Sequence, residues 1–256
     1  MPIDFSHTEV GRGDTIVLLH GFCETSEIWN DFIPPLSSQY RVISLDLPGF
    51  GYSDSLNNTS LENVAAELHH FLGEIHVDQA HLIGHSLGGY VSLALAEAFP
   101  DAVRSISLVH STAFADSDEK KQSRDNTVSF VKKYGVSTFL NAFIPMLFHP
   151  ERREELQSQI EKLRRISHAT TESSLIDYTL AMRDRKERTD VLKSGKHPIH
   201  FVGGAHDALV PLEKSIEHQS LIRSGKFTLL ENSGHMGMFE EPQVLLKHLS
   251  NFIREV

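Results

Sequence analysis

The hexapeptide Gly-His-Ser-Leu-Gly-Gly at 84–89 sets Ser86 between two glycines in a Gly-x-Ser-x-Gly pattern. An apolar run at 80–83 precedes it, and a helix-forming stretch, Tyr90 to Phe99, follows. That setting predicts a very sharp strand-to-helix turn, with the serine hydroxyl exposed on a strained backbone. Gly84 and Gly88 suit the places where strand and helix nearly touch. A serine attacks a carbonyl only when a base takes its proton and a third group orients that base. Asp207, in Gly-Gly-Ala-His-Asp-Ala-Leu, and His235, in Asn-Ser-Gly-His-Met-Gly, each lie just beyond an apolar run and can supply those two roles. Asp207 also fits a plain turn, and Asp116 and Asp118 are alternative acids. Cys23 is the one cysteine and the other candidate nucleophile, but its setting shows no histidine partner. Sixteen histidines raise the question of a metal. There is no His-Glu-x-x-His and no cysteine pair, so no metal site is expected.

The positions of these residues follow from the pattern around them. Runs at 15–20, 41–47, 80–85, 103–110, 198–204 and 226–232 are near-continuously apolar, as strands buried on both faces of a parallel sheet are. Helical patterns fall between them at 26–38, 60–75, 87–98, 211–223 and 237–254. The alternation predicts an α/β fold, a mostly parallel central sheet flanked by helices. Asp207 and His235 then sit at the carboxyl ends of strands, where open α/β sheets build their sites. The alternation stops once. Residues 114–188 hold no strand pattern, and a structureless loop of that length is uncommon, so they predict an inserted helical cap on a core of 1–113 and 189–256. Phe139, Phe143 and Leu147 share one helical face there, which can either pack the cap or roof an apolar pocket.

On these residues the chain resembles the α/β-hydrolases. The likeness runs over nearly the whole sequence, and the order Ser86, Asp207, His235 is that of the family. His20-Gly21-Phe22 resembles the family's oxyanion loop, and Asp46-Leu47-Pro48-Gly49-Phe50-Gly51 its Asp-x-Pro-Gly-x-Gly turn. The resemblance implies an oxyanion hole from the backbone N–H groups of Phe22 and Leu87. Leu87 suits that role independently, because a helix start offers unsatisfied donors. Few residues precede 15–20, so the family's first two strands must be short or partly missing. His20 is expected to brace the oxyanion loop and His85 to pack beside the turn. Cys23, Trp29, His110 and Met236 join Phe139, Phe143 and Leu147 as candidate pocket residues.

A net charge of −10 gives no basic face for nucleic acid. The first ten residues lack the pattern of a secretory signal, no run is long enough to span a membrane, and one cysteine fits a reducing compartment. A cytoplasmic location is therefore expected, with a small ester and water as partners and no cofactor. The resemblance is to small capped serine esterases and thioesterase-like hydrolases, such as carboxylesterases of the pimeloyl-ester type. It implies hydrolysis of small to medium acyl esters through an acyl-enzyme. Carbon–carbon bond hydrolysis or lysis, cofactor-free perhydrolysis, and a slowly turning-over small-molecule receptor use the same triad and stay open.

Overall fold

The computed structural model describes residues 3–256. Among them β1 (His7–Val10), β2 (Thr15–Leu19), β3 (Arg41–Leu45), β4 (Ala80–His85), β5 (Val103–Val109), β6 (Ile199–Gly204) and β7 (Gly225–Leu230) form one sheet. Its order is β1-β3-β2-β4-β5-β6-β7. Neighbours from β3 to β7 pair in parallel, and only β1 runs antiparallel, against β3. Every residue of β2, β4 and β6 is buried, which accounts for their near-continuous apolar character. β1 escapes the sequence pattern because its four residues, His-Thr-Glu-Val, are all exposed at the sheet edge.

The helices are α1 (Ile33–Ser37), α2 (Leu61–Glu74), α3 (Leu87–Ala98), α4 (Asp118–Tyr134), α5 (Val136–Met146), α6 (Gln157–Ser167), α7 (Glu172–Arg183), α8 (Thr189–Ser194), α9 (Leu212–Leu221), α10 (Gly237–Glu240) and α11 (Pro242–Glu255). α2 shows how they form. Ser60 caps it by accepting the Asn63 N–H at 3.1 Å, and Leu61, Val64, Ala65, Leu68, Phe71 and Leu72 bury one face. Two expected helices are broken, both at proline. The 26–38 pattern becomes a 3₁₀ turn, Ser26–Trp29, followed by α1, because Pro34 and Pro35 cannot donate back into a preceding turn. The 237–254 pattern splits at Glu241, whose φ of −137° and ψ of 53° leave the helical region just before Pro242.

Residues 114–188 contain α4 to α7 and no strand. Their two ends meet, since the Arg188 N–H donates to the Ala113 carbonyl at 2.7 Å. The buried Arg188 guanidinium also reaches Glu62 of α2 at 2.7 Å and Glu97 of α3 at 3.1 Å, anchoring this exit point to the sheet-covering helices.

The strand order reverses between β2 and β4: β3 lies on one side of β2 and β4 on the other. Such a reversal opens a crevice at the carboxyl ends. Leu19 pairs with Gly84, so the loop after β2 and the turn after β4 leave the sheet at one level. They are packed too closely for side chains. A Cβ on Gly88 would lie 2.5 Å from the Leu19 carbonyl oxygen and 2.8 Å from that of His20, neither of which can swing away. Gly88→Ala should therefore lower the unfolding free energy by about 1–3 kcal/mol or more in urea titrations. Wild-type stability would contradict this packing.

Candidate active site

Ser86 occupies the single position between β4 and α3, with φ 47° and ψ −108°. A non-glycine residue there stores strain on the order of 1–3 kcal/mol, so its neighbours must hold it. They do so through the backbone. The Ser86 N–H donates to the Val109 carbonyl at 2.9 Å, and the Ser111 hydroxyl donates to the Ser86 carbonyl at 2.8 Å. Gly84 permits the reversal, because a Cβ there would meet the backbone of Gly88 and Gly89 at 2.5 Å.

Asp207, three residues past β6, and His235, five past β7, come together with His235 Nδ1 at 2.8 Å from Asp207 Oδ2. The carboxylate is fully engaged. Its Oδ1 accepts the Leu209 and Val210 N–H groups at 2.8 and 2.9 Å, and its Oδ2 also takes His110 Nδ1 at 3.2 Å. Four donors fill the roughly four lone-pair sites of a carboxylate. Burial alone would raise the Asp207 carboxyl, but the charge of His235 and the bonds from His110 and His235 outweigh it and hold it well below the usual carboxylate range. Asp116 is instead committed to Arg185 at 2.7 Å and Arg124 at 3.2 Å, and Asp118 opens α4.

His110 is a second histidine on this acid. Gly237 N–H donates to its Nε2 at 3.2 Å, which puts the ring proton on Nδ1, facing Asp207. Burial lowers its pKa to about 4 despite Asp207, so it stays neutral at ordinary pH. His110, Asp207 and His235 bring possible metal-ligating atoms within 4.8 Å of one another. The histidine nitrogens that face Asp207 serve there as hydrogen-bond donors, which leaves them no lone pair for an ion.

A buried ion pair ties the remaining loops together. Glu24 Oε2 accepts the Gly21 N–H at 2.6 Å and lies 2.9 Å from His85 Nδ1, while His85 Nε2 lies 2.9 Å from the His235 carbonyl oxygen. Both ring nitrogens face acceptors, so both donate and His85 is an imidazolium. Burial works against that charge, but Glu24, the His235 carbonyl and Asp207 raise the ring above the ordinary histidine range. Burial likewise opposes the Glu24 charge, and His85 with the Gly21 N–H holds the carboxyl low. His20 braces the same loop, accepting the Leu47 N–H at Nε2 and donating from Nδ1 to the Gly21 carbonyl, each at 2.8 Å. The Phe22 N–H lies on this braced loop, and the Leu87 N–H opens α3, where no intrahelical acceptor exists.

Ser86 and His235 line one cavity of about 520 Å³, together with Phe22, Phe139, Phe143 and Leu147. Four other expected pocket residues lie elsewhere. Trp29 is fully buried and packs edge-on against Phe32, with ring centroids 5.4 Å apart. Cys23 is buried at φ 59°, its thiol pushed up by burial and by Glu24. His110 sits behind Asp207, and Met236 is buried in the core. All four are near the site in sequence, but in turns that point their side chains inward. Lys120, Arg124, Tyr90, Met146 and Met182 line the cavity without having been singled out by any sequence motif.

The alpha/beta hydrolase fold family model matches residues 14–242. The chain belongs to that family. Among relatives of this α/β hydrolase is the dihydrolipoyllysine-residue acetyltransferase component of the acetoin cleaving system of Pseudomonas putida, 28% identical over 251 residues. That alignment covers 96% of this chain but only 65% of the relative. A pimeloyl-[acyl-carrier protein] methyl ester esterase of Aeromonas hydrophila is 27% identical over 249 residues, covering 95% of this chain and 96% of its own. Among solved structures, a malate-bound thermophilic esterase from Thermogutta terrifontis superposes with a TM-score of 0.93 at 26% identity, covering 99% of this chain and 94% of that one. No helix among the described residues of this α/β hydrolase is long and apolar enough to cross a membrane.

The depressed Asp207 carboxyl has a consequence for stability. In the unfolded chain an aspartate takes up its proton near pH ~3.9, whereas the folded group resists protonation to lower pH. Its contribution is thus present above that pH and lost as the pH falls toward the folded value. Between about pH 5 and 3 the unfolding free energy of Asp207→Asn should decline less steeply than that of wild type in urea titrations. Equal slopes would contradict the assignment.

Proposed function

We propose that this α/β hydrolase cleaves carboxylic esters of small to medium acyl chains, through an acyl-enzyme on Ser86. One observation carries the reading: a serine fixed at a strained turn opens into the same cavity as a histidine whose other ring nitrogen is held by an ionised, saturated carboxylate. Ser86 Oγ attacks the ester carbonyl carbon while His235 Nε2 takes its proton, and the imidazolium returns that proton to the departing alcohol. Asp207 keeps the histidine proton on Nδ1 and stabilises the imidazolium. The N–H groups of Phe22 and Leu87 receive the oxyanion. Water then repeats the sequence on the acyl-enzyme and frees the acid. Residues 114–188 act as the cap, with Phe139, Phe143 and Leu147 against the acyl chain.

Cys23 has no part in this chemistry. It does not line the cavity, and a thiol pushed up by burial holds little nucleophilic thiolate. The esterases among the relatives support ester cleavage as the reaction. A chain-length series of para-nitrophenyl esters tests it. Ser86→Ala should cut turnover by on the order of 10⁴ or more across the series. Near-wild-type hydrolysis in that variant would contradict the reading.

A further inference from the structure

The cavity has two walls of unlike chemistry. α5 contributes Phe139, Ala142, Phe143 and Met146, spaced three and four apart, and Leu147 at its C-terminal cap continues this apolar helical face. α4 contributes Lys120, Ser123, Arg124 and Thr127, on the same helical spacing but polar, ending in Phe130. Packing does not explain why α4 turns this face to the cavity, since Val131 is the one buried residue among its 17.

Charge is unbalanced on that wall. Asp116 is shared by Arg124, at 3.2 Å from Nε, and Arg185, at 2.7 Å from Nη1. Lys120 Nζ donates to the Leu209 carbonyl at 3.2 Å and forms no direct ion pair among the described residues, Asp116 and Asp207 acting on it only from beyond contact distance. The lining holds one carboxylate, Glu24, already taken up by His85 and the Gly21 N–H. In a chain with a net charge of −10, Lys120 and Arg124 both line the cavity, while the two acids beside them are already engaged, Asp116 by Arg124 and Arg185 and Glu24 by His85. An anion is the partner such a wall lacks.

We propose that Lys120 and Arg124 form an anion subsite, and that the preferred substrates are esters carrying a carboxylate or similar anionic group joined to the scissile ester by an apolar segment. The inference rests on the serine ester hydrolase reading and names its substrate class. The apolar segment lies along the α5 wall and the anion meets the α4 wall, so binding energy comes from both. Either the acyl or the alcohol part can carry the anion, because hydrolysis needs only that the carbonyl reach Ser86.

Three matched substrate pairs distinguish these sources. On the acyl side, para-nitrophenyl monoesters of adipic and suberic acids are compared with para-nitrophenyl hexanoate and octanoate. On the alcohol side, the hexanoate ester of meta-hydroxybenzoate is compared with that of meta-hydroxybenzamide. In at least one pair the anionic ester should exceed its neutral match in kcat/KM by about tenfold, and added salt should shrink that ratio. Lys120→Met should lower the ratio, and Lys120→Glu should lower it further. Lys120 makes one side-chain hydrogen bond on a solvent-facing helix, so neither change removes a core contact. No anionic preference in any pair, or a ratio untouched by both Lys120 variants, overturns the subsite. If Ser86→Ala is inactive throughout while the ratio ignores Lys120, the subsite alone fails. If Ser86→Ala still turns over these esters, the hydrolase reading beneath it fails as well.

Discussion

At Ser86 the chain leaves β4 and enters α3 with no other residue between them, and the backbone takes up a φ of 47° to do so. Much of the surrounding architecture serves that reversal. Gly84 lets the helix start fold back over the strand, and Gly88 lets it press against the carbonyls that end β2. β5 and the loop after it hold the turn from the other side, through Val109 and Ser111. Because the contacts are with backbone, they tolerate no gradual adjustment, and interior packing of this density transmits any added volume as strain. The same closeness sets the loop after β2, with Phe22, beside the first N–H groups of α3.

Electrostatics then fixes what sterics has brought together. Asp207 is saturated by two backbone amides and two histidines, so its charge and its direction are both determined before any substrate arrives. The Glu24–His85 pair has another task. A buried ion pair is a doubtful source of stability, since desolvation offsets the attraction. Here its hydrogen bonds end on Gly21 in one loop and on the His235 carbonyl in another, which ties the candidate oxyanion loop to the loop of the candidate base. Preorganisation of this kind holds polar groups in place in advance, where water would otherwise have to reorient.

The sequence made the central geometry readable because its signals were local and strong. Six apolar runs marked β2 to β7 to within a residue or two, and Ser86, Asp207 and His235 each lay directly past one of them. Phe139, Phe143 and Leu147 could be read as one face because a helix has a fixed period. Loops have none, so Cys23, Trp29, His110 and Met236 were near the site in sequence while their side chains turned into the core. β1 carries no apolar pattern at its exposed edge, and the prolines at 34 and 242 cut helices whose periodicity ran on unbroken. The polar face of α4 was the hardest to foresee. A charged helix reads as a solvated one, and only its placement beside the cavity gives Lys120 and Arg124 a role.

The central claim is that Ser86, rather than Cys23, is the nucleophile. Reaction of the folded protein with a fluorophosphonate, followed by peptide mass spectrometry, tests it without reference to any substrate. The account predicts one adduct per chain, on the peptide containing Ser86, and none in the Asp207→Asn or Ser86→Ala variants over the same time. Labelling at Cys23, or labelling of wild type that persists undiminished in Ser86→Ala, would contradict it.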